Sequence, residues 1–277
     1  MKKILIDGDI MLYRIAESHQ ENVPLNELVG EQSLKDSIFN RSLCNDDLSD
    51  IVVAWGNIDD VGFAIDEYIS NLKKKLKADY AIVCLSDSKN FRKSVKDSYK
   101  GNRTKAKPVT YAGGLQTVKK LYDHVVYPAL EADDVLGILA TDPNNTDEIV
   151  IVSDDKDLEQ IPVQVYKPMS DTFVNVTKES GRRKFFEQVL AGDRTDGYAG
   201  CPGIGDKTAN KILDEEESFE RVLEEFVAKG LTLQDMTDTV NMARILQFGD
   251  YDFSTVSVNL WVPNNELKEK YKWMITK

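Results

Sequence analysis

Three short apolar runs in this chain lead directly into acidic residues. KKILI ends on Asp7, YAIVCL leads through Ser86 to Asp87, and EIVIVS leads into Asp154, Asp155 and Asp157. Runs of four to six apolar residues bounded by polar ones read as buried parallel strands, and ligands gather at the carboxyl ends of such strands. The acids are therefore expected to converge. Between the runs the period changes to that of helices. MLYRIAESH continues the first strand as a helix, and Phe63, Ile65, Tyr68, Ile69, Leu72 and Leu76 fall at helical spacing with Lys73, Lys74, Lys75 and Lys77 on the wet side. GGLQTVKKLYDHV reads as a helix, and LEADDVLGILA as a helix whose first turn carries acids. VQVYKP and TFVNVT flank MSD as a β-hairpin, and IVVAW at 51–55 reads either as a strand or as the start of a helical approach. After Lys178 the pattern is mainly helical: GRRKFFEQVLAG, DKTANKIL, SFERVLEEFVAK and a stretch around NMARILQF. This order predicts an α/β domain over 1–177, with a central mostly parallel sheet flanked by helices, and a helical domain over 178–277. Residues 21–49 are polar, acidic and weakly periodic, and read as an insertion.

Composition narrows the chemistry. At 277 residues and 42% hydrophobic the chain can bury a full core. No apolar run approaches the roughly 18 residues of a membrane span, and Lys2 and Lys3 precede a short strand without a signal-peptide core, so the cytoplasm is expected. The three cysteines form neither C-x-x-C nor a zinc spacing, which fits a reducing compartment. His19 and His124 are too few for a His-rich metal site, so carboxylates and lysines must carry the chemistry.

A net charge of −12 argues against bulk electrostatic coating of nucleic acid. Its distribution changes that reading. From 92 to 107 stand Arg92, Lys93, Lys96, Lys100, Arg103, Lys105 and Lys107 against the single acid Asp97. A solvated helix face would look similar, but the interleaved Tyr99 and the acid at Asp87 upstream favour phosphate contact and a polyanionic substrate.

Eleven acidic residues stand where a hydrolase would hold metal: Asp7, Asp9, Asp87, Glu131, Asp133, Asp134, Asp154, Asp155, Asp157, Asp193 and Asp196. In LEADD, Glu131 and Asp134 share one helical face and Asp133 is displaced around the helix. Carboxylates packed this densely oppose one another's ionisation unless cations offset them, and oxygen-only ligands select Mg²⁺ or Mn²⁺ over zinc. Taken singly, LEADD reads equally as acids complementing a helix dipole. In SDDKDL, Asp155 and Asp157 face one side if the backbone stays extended and Asp154 the other, although Asp-rich turns are common without metal. Asp9 reads more easily as a helix cap than as a ligand, and Asp7 is the ligand expected of the pair. In GDRTDGYAGCPGIGDKTANKIL, Pro202, Gly203, Ile204 and Gly205 make a tight turn between helices and Asp206 can cap the second one. The small residues there let a phosphodiester approach backbone N–H groups, with charge added by Lys207 and Lys211.

In order and spacing, IDGD, SDSKNFR, YKGNR, LEADD, SDDKDL and GDRTDGYAGCPGIGDKTA resemble the flap-endonuclease and 5′-nuclease superfamily. That superfamily includes the 5′-nuclease domains of bacterial DNA polymerases and phage 5′ exonucleases. GDRTDGYAG with NMARILQF and YDFSTVSVNLWVP is most similar to the replicative exonucleases of podovirus-type, short-tailed phages, and the resemblance covers nearly all of the chain outside about 21–50. It implies a PIN-like 5′-nuclease domain with a helical arch over about 88–122 and a C-terminal helix–three-turn–helix. The family's metal carboxylates fall on Asp7, Asp87, Glu131, Asp133, Asp134, Asp155, Asp157, Asp193 and Asp196, leaving Asp9 and Asp154 outside. Its active-site cations fall on Lys100 and Arg103, with Arg92 and Tyr99 at neighbouring DNA-binding positions. Gly203, Gly205, Lys207 and Lys211 lie in the segment that grips duplex DNA and in several members holds a monovalent cation such as K⁺. Two departures are Asp154, where a small residue is usual, and Cys201, where an aliphatic one is.

The implied activity is 5′-3′ exonuclease and structure-specific flap endonuclease, with two Mg²⁺ ions, or Mn²⁺ in their place, hydrolysing DNA phosphodiesters. Expected substrates are duplex DNA with 5′ ends or flaps and RNA–DNA hybrids. The expected setting is a monomer away from membranes, in the bacterial host cytoplasm if phage-encoded, serving phage DNA replication, RNA primer removal and host DNA breakdown. Two other readings are a catalytically silent DNA-binding module of the same fold and a PIN-like ribonuclease. The full carboxylate set counts against the first, and the duplex-gripping GCPGIGDKTA against the second.

Overall fold

The run Lys2–Asp7 forms β1, the third strand of a six-stranded sheet, in a computed structural model that describes residues 1–25 and 52–271. β1 passes directly into α1 (Gly8–Ser18). β2 (Glu21–Pro24) pairs antiparallel with β3 (Val52–Trp55), so IVVAW is a strand and the insertion begins with one. Residues 26–51 of that insertion lie outside the described residues. α2 (Ile58–Leu76) starts where the Asn57 side chain accepts the Asp59 N–H, and it buries Val61, Ile65, Ile69, Leu72 and Leu76. Phe63, which periodicity placed on that face, is 77% exposed, because it sits two residues off the buried stripe set by Val61 and Ile65.

β4 (Tyr80–Cys84), α3 (Arg92–Val95), α4 (Tyr111–Leu121), β5 (His124–Val125), α5 (Ala132–Ala140) and β6 (Glu148–Val152) follow. The expected helical arch is helical at α3 and α4 only; residues 96–110 between them carry turns. A 3₁₀ turn at Asp157–Gln160 leads to β7 (Gln164–Lys167) and β8 (Thr172–Asn175), the anticipated hairpin. The remainder comprises α6 (Lys178–Ala191), β9 (Gly192–Asp193), β10 (Tyr198–Ala199), α7 (Asp206–Glu215), α8 (Phe219–Ala228), α9 (Leu233–Ala243), β11 (Tyr251–Asp252), β12 (Ser257–Val258) and α10 (Asn265–Lys270). Only the NMA of NMARILQF is helical, at the end of α9. Among the described residues no helix is long and apolar enough to cross a membrane.

The sheet order is β5-β4-β1-β6-β7-β8, parallel throughout except for β8. With a parallel neighbour on each side, β1 buries Ile4, Leu5 and Ile6 together, which explains its unbroken apolar run. The register sets Asp7 opposite Cys84 and Ile6 opposite both Val83 and Val152. The segments that follow β1, β4 and β6 therefore leave from one edge of the sheet.

The chain divides into two compact units, and the division does not fall at 177. One unit comprises 1–8, 78–105 and 124–277, so it holds both the six-stranded sheet and the C-terminal helices. Gln160, after β6, shows why these stay together. Its amide donates to the Gln188 side chain on α6 and to the Ala243 carbonyl at 2.8 Å, and its oxygen accepts the Ile245 N–H at 3.1 Å. The other unit comprises 9–77 and 106–123. In it α2 and α4 lie side by side, close enough that a Cβ on Gly114 would stand 3.2 Å from Val61 and 3.3 Å from Leu12.

Candidate active site

All the carboxylates discussed below except Asp9 belong to the first unit. Asp7 closes β1 and is 3% exposed. The Ser153 hydroxyl donates to Asp7 Oδ2 at 2.8 Å and accepts the Asp155 N–H at 3.0 Å, so one serine ties the ends of two adjacent strands. Asp155 Oδ1 accepts the Asp157 N–H at 2.9 Å. SDDKDL is thus a turn held by an aspartate side chain rather than the extended segment that alternation suggested, and the turn brings Asp155 and Asp157 together. Asp154 points elsewhere: its Oδ1 accepts the Met169 N–H at 3.0 Å, at the tip of the β7–β8 hairpin.

Asp133, in the first turn of α5, faces this group. Burial, then the carboxylates of Asp7 and Asp155, push its pKa well above the usual range. Asp157 is affected in the same way: burial, then Asp155 and Asp193, raise it to about 7. Asp157 Oδ1 is buried and has no hydrogen-bond partner among the described residues. Asp193 Oδ1 accepts the N–H groups of Thr195 at 2.6 Å and Asp196 at 3.2 Å, closing the β9–β10 turn and placing two more acids beside Asp157. Carboxylates that raise one another's pKa, one of them with an orphaned buried oxygen, form a donor set suited to a hard divalent cation. Among the described residues no three acidic, histidine or cysteine side chains close on a common point as ligands would.

Protein cations enter the group instead. Lys100 holds a left-handed backbone, φ 55°, a conformation that costs an L-residue roughly 1–2 kcal/mol. Its ammonium bonds Glu131 Oε1 and lies 3.5 Å from Asp196 Oδ2. Arg103 Nη2 donates to Asp196 Oδ1 at 2.6 Å. Burial opposes ionisation of Glu131, but Arg92 and Lys100 outweigh it and hold its pKa at about 2. The Tyr99 hydroxyl is 3.0 Å from both Glu131 Oε2 and Asp196 Oδ2, with one proton for two acceptors. At 2% exposure Tyr99 is a buried bridge and not the DNA-facing ring expected of it.

Four further expectations need correction. Arg92 is 3% exposed, and its guanidinium is paired with Asp134 through two 2.7 Å bonds, so it cannot face DNA. Asp134 is fully buried, and its Oδ1 also accepts the Leu246 N–H, which leaves Asp133 and not Asp134 toward the other acids. Asp87 accepts N–H groups from Ala129 at 2.9 Å and Ser88 at 2.7 Å; these bonds, that from Ala129 foremost, hold its pKa below the usual range. Asp9, within the first turn of α1 rather than at its cap, is near the Tyr111 hydroxyl at 3.5 Å.

The glycine turn joins α6 to α7 through the β9–β10 ribbon. Gly203 has φ 79°, and Gly205, not Asp206, is the N-cap of α7. A Cβ on Gly205 would meet nothing within 4 Å, and Gly203, Gly205, Lys207 and Lys211 are all exposed. Lys229 Nζ would stand 4.0 Å from a Cβ on Gly203. Sequence reasoning missed Lys229, a charge at the end of a distant helix, and Ser153, whose only signal is a hydroxyl between an apolar strand and three acids.

Residues 60–189 match the family described as 5′-3′ exonuclease, N-terminal resolvase-like domain. An exodeoxyribonuclease of Enterobacteria phage T3 is 31% identical over 223 residues, covering 66% of this chain and 74% of the phage protein. An exonuclease of Escherichia phage T7 is 31% identical over 221 residues, covering 66% and 73%. Among solved structures, a phage T5 5′-exonuclease with bound zinc ions aligns with a TM-score of 0.59 at 13% identity, covering 88% of this chain and 89% of that chain. A T5 flap endonuclease in complex with DNA and metal ions aligns at 0.59 and 14%, covering 88% and 91%. At such identity these two structures speak for the fold alone.

Proposed function

The chain belongs to the 5′-3′ exonuclease family of nucleases, and we propose that it hydrolyses DNA at 5′ ends and 5′ flaps with two Mg²⁺ ions, for which Mn²⁺ can substitute. The observation that carries this reading is the orphaned, buried Oδ1 of Asp157 among carboxylates that raise one another's pKa. Asp7, Glu131, Asp133, Asp155, Asp157, Asp193 and Asp196 are the proposed ligands. Asp134 is left out because it is fully buried against the Arg92 guanidinium, and Asp87 because backbone N–H groups, that of Ala129 foremost, and not the other carboxylates, set its pKa.

When bound, the divalent ions supply a Lewis acid for the phosphate and an activated water. The chain's own part is electrostatic and positional. Lys100 and Arg103 present fixed cations at the acid cluster, where they offset charge developing on a scissile phosphate without reorganising. Tyr99 and Ser153 hold Glu131, Asp196, Asp7 and Asp155 in place. At the glycine turn, the exposed backbone at Gly203 and Gly205 accepts the duplex, with Lys207, Lys211 and Lys229 adding charge and K⁺ bound by turn carbonyls. We further propose action as a monomer in the host cytoplasm, on RNA–DNA hybrids as well as DNA, in phage replication, primer removal and host DNA breakdown.

The test is cleavage of 5′-labelled flap, blunt duplex and RNA–DNA hybrid, with Mg²⁺ and with chelator. Metal-dependent release of 5′-phosphorylated nucleotides or short fragments from DNA is expected. Tight binding without cleavage would indicate a silent module, and cleavage confined to RNA a ribonuclease.

A further inference from the structure

We propose that Arg92 is the positioning residue for Glu131, and that it ties this carboxylate to the end of helix α9. A guanidinium carries five N–H donors in a rigid planar fork. In Arg92 all of them find acceptors: Nε donates to the Met242 carbonyl at 3.0 Å, Nη2 to the Arg244 carbonyl and Asp134 Oδ1, each at 2.7 Å, and Nη1 to Asp134 Oδ2 at 2.7 Å and Glu131 Oε2 at 3.2 Å. Met242 and Arg244 stand at the carboxyl end of α9, where helix carbonyls lack partners and a positive charge is favoured. Asp134 is saturated as well. Besides the two Arg92 bonds, its Oδ1 accepts the Leu246 N–H at 3.1 Å and its Oδ2 the Glu131 N–H at 3.2 Å.

The pair is closed, buried and neutral, with nothing left over for a substrate. Its remaining reach goes to one residue. Asp134 takes the backbone N–H of Glu131, Arg92 takes its side-chain Oε2, and both ends of Glu131 are thereby fixed. Outer partners that orient a ligand in this way are commonly worth about 10–100-fold in metal affinity. Lysine cannot replace Arg92, because an ammonium has three donors and no plane, and at least two of these acceptors would be abandoned. The role rests on the proposed reading of Glu131 as a metal ligand.

Mn²⁺ binding to the DNA-free protein, followed by electron paramagnetic resonance, tests it without reference to activity. Arg92→Lys should weaken Mn²⁺ binding by about 10-fold or more, Glu131→Gln should weaken it too, and Arg92→Lys in the Glu131→Gln background should add nothing. Wild-type Mn²⁺ affinity in Arg92→Lys would overturn the proposal. So would an equal loss in both backgrounds, which would mean that Arg92 acts through the fold at large. Wild-type affinity in Glu131→Gln would instead remove the ligand reading beneath it. If Arg92→Lys does not fold, Asp134→Asn carries the same test, since the amide keeps one acceptor for Nη2 and releases Nη1; unchanged Mn²⁺ binding there would equally overturn the proposal.

Discussion

Lys100 grips Asp196 from both its backbone and its side chain: its N–H donates to the Asp196 carbonyl at 2.8 Å, and its Nζ lies 3.5 Å from Asp196 Oδ2. Lys100 makes both contacts from a left-handed backbone, φ 55°. A strained residue that delivers a cation to an acid cluster suggests strain kept for function.

Lys100→Ala is therefore expected to slow the single-turnover cleavage step by about 10²–10³-fold, the usual cost of losing one preorganised charge-stabilising group. Duplex affinity should change much less. Equal single-turnover rates for variant and wild type would reject the role.

The raised pKa of Asp157 predicts an unusual stability profile for the metal-free protein. A carboxyl raised from its ordinary value of 3.8 to about 7 on folding favours the folded state at pH values below its unfolded pKa, and that contribution is lost as pH rises through 7. At about 1.4 kcal/mol per unit, the loss reaches roughly 4 kcal/mol. Glu131, depressed to about 2, has the opposite sign: its contribution is present above its ordinary value and lost only as pH falls through 2. Thermal unfolding in chelator should thus show a melting temperature that falls between about pH 4 and pH 7, a fall that Mg²⁺ suppresses and Asp157→Asn flattens. A flat profile in the metal-free wild type would contradict the electrostatics of the site.

Removing one member of the buried Arg92–Asp134 pair strands the other. Asp134→Ala should cost about 3–5 kcal/mol in urea unfolding. A loss below about 1 kcal/mol, the scale of an exposed ion pair, would show that the guanidinium reaches solvent after all.

Gly205 separates stability from binding. Its backbone is extended, a Cβ there meets no described atom within 4 Å, and serine is a better N-cap than glycine or alanine for α7. Gly205→Ser should leave the melting temperature unchanged or slightly higher while weakening duplex binding, because the new side chain stands where a phosphate would approach the turn. Unaltered duplex affinity, measured at fixed salt, would remove this turn from the DNA interface.

Much of the fold was legible because parallel strands announce themselves. β1, β4 and β6 are apolar runs buried on both faces, and the sheet order carries Asp7 and the Asp155–Asp157 turn to one edge. Helical period correctly placed Glu131 and Asp134 on a common face, but it could not say where that face turns. Arg92, forty-two residues before Asp134, claims it, and Asp133 is left toward the acids. The same long-range pairing takes Arg92 out of the basic stripe read at 92–107, since charge density along the chain says nothing of a buried partner. Asp155 and Asp157 converge through a side-chain turn that alternation cannot anticipate. The expected boundary at 177 failed to appear for a related reason: Gln160 bonds across it, to Gln188 and Ala243.

The central claim is that the carboxylates around Asp157 hold the metal that hydrolyses DNA. Its most direct test is single-turnover cleavage of a 5′-flap by wild type and Asp155→Ala as Mg²⁺ is titrated. The predicted result is a rate lost by at least about 10³-fold in the variant, absent in chelator for both proteins, and not restored at saturating Mg²⁺. Cleavage by the wild type in chelator, or an Asp155→Ala rate equal to that of wild type, would contradict it.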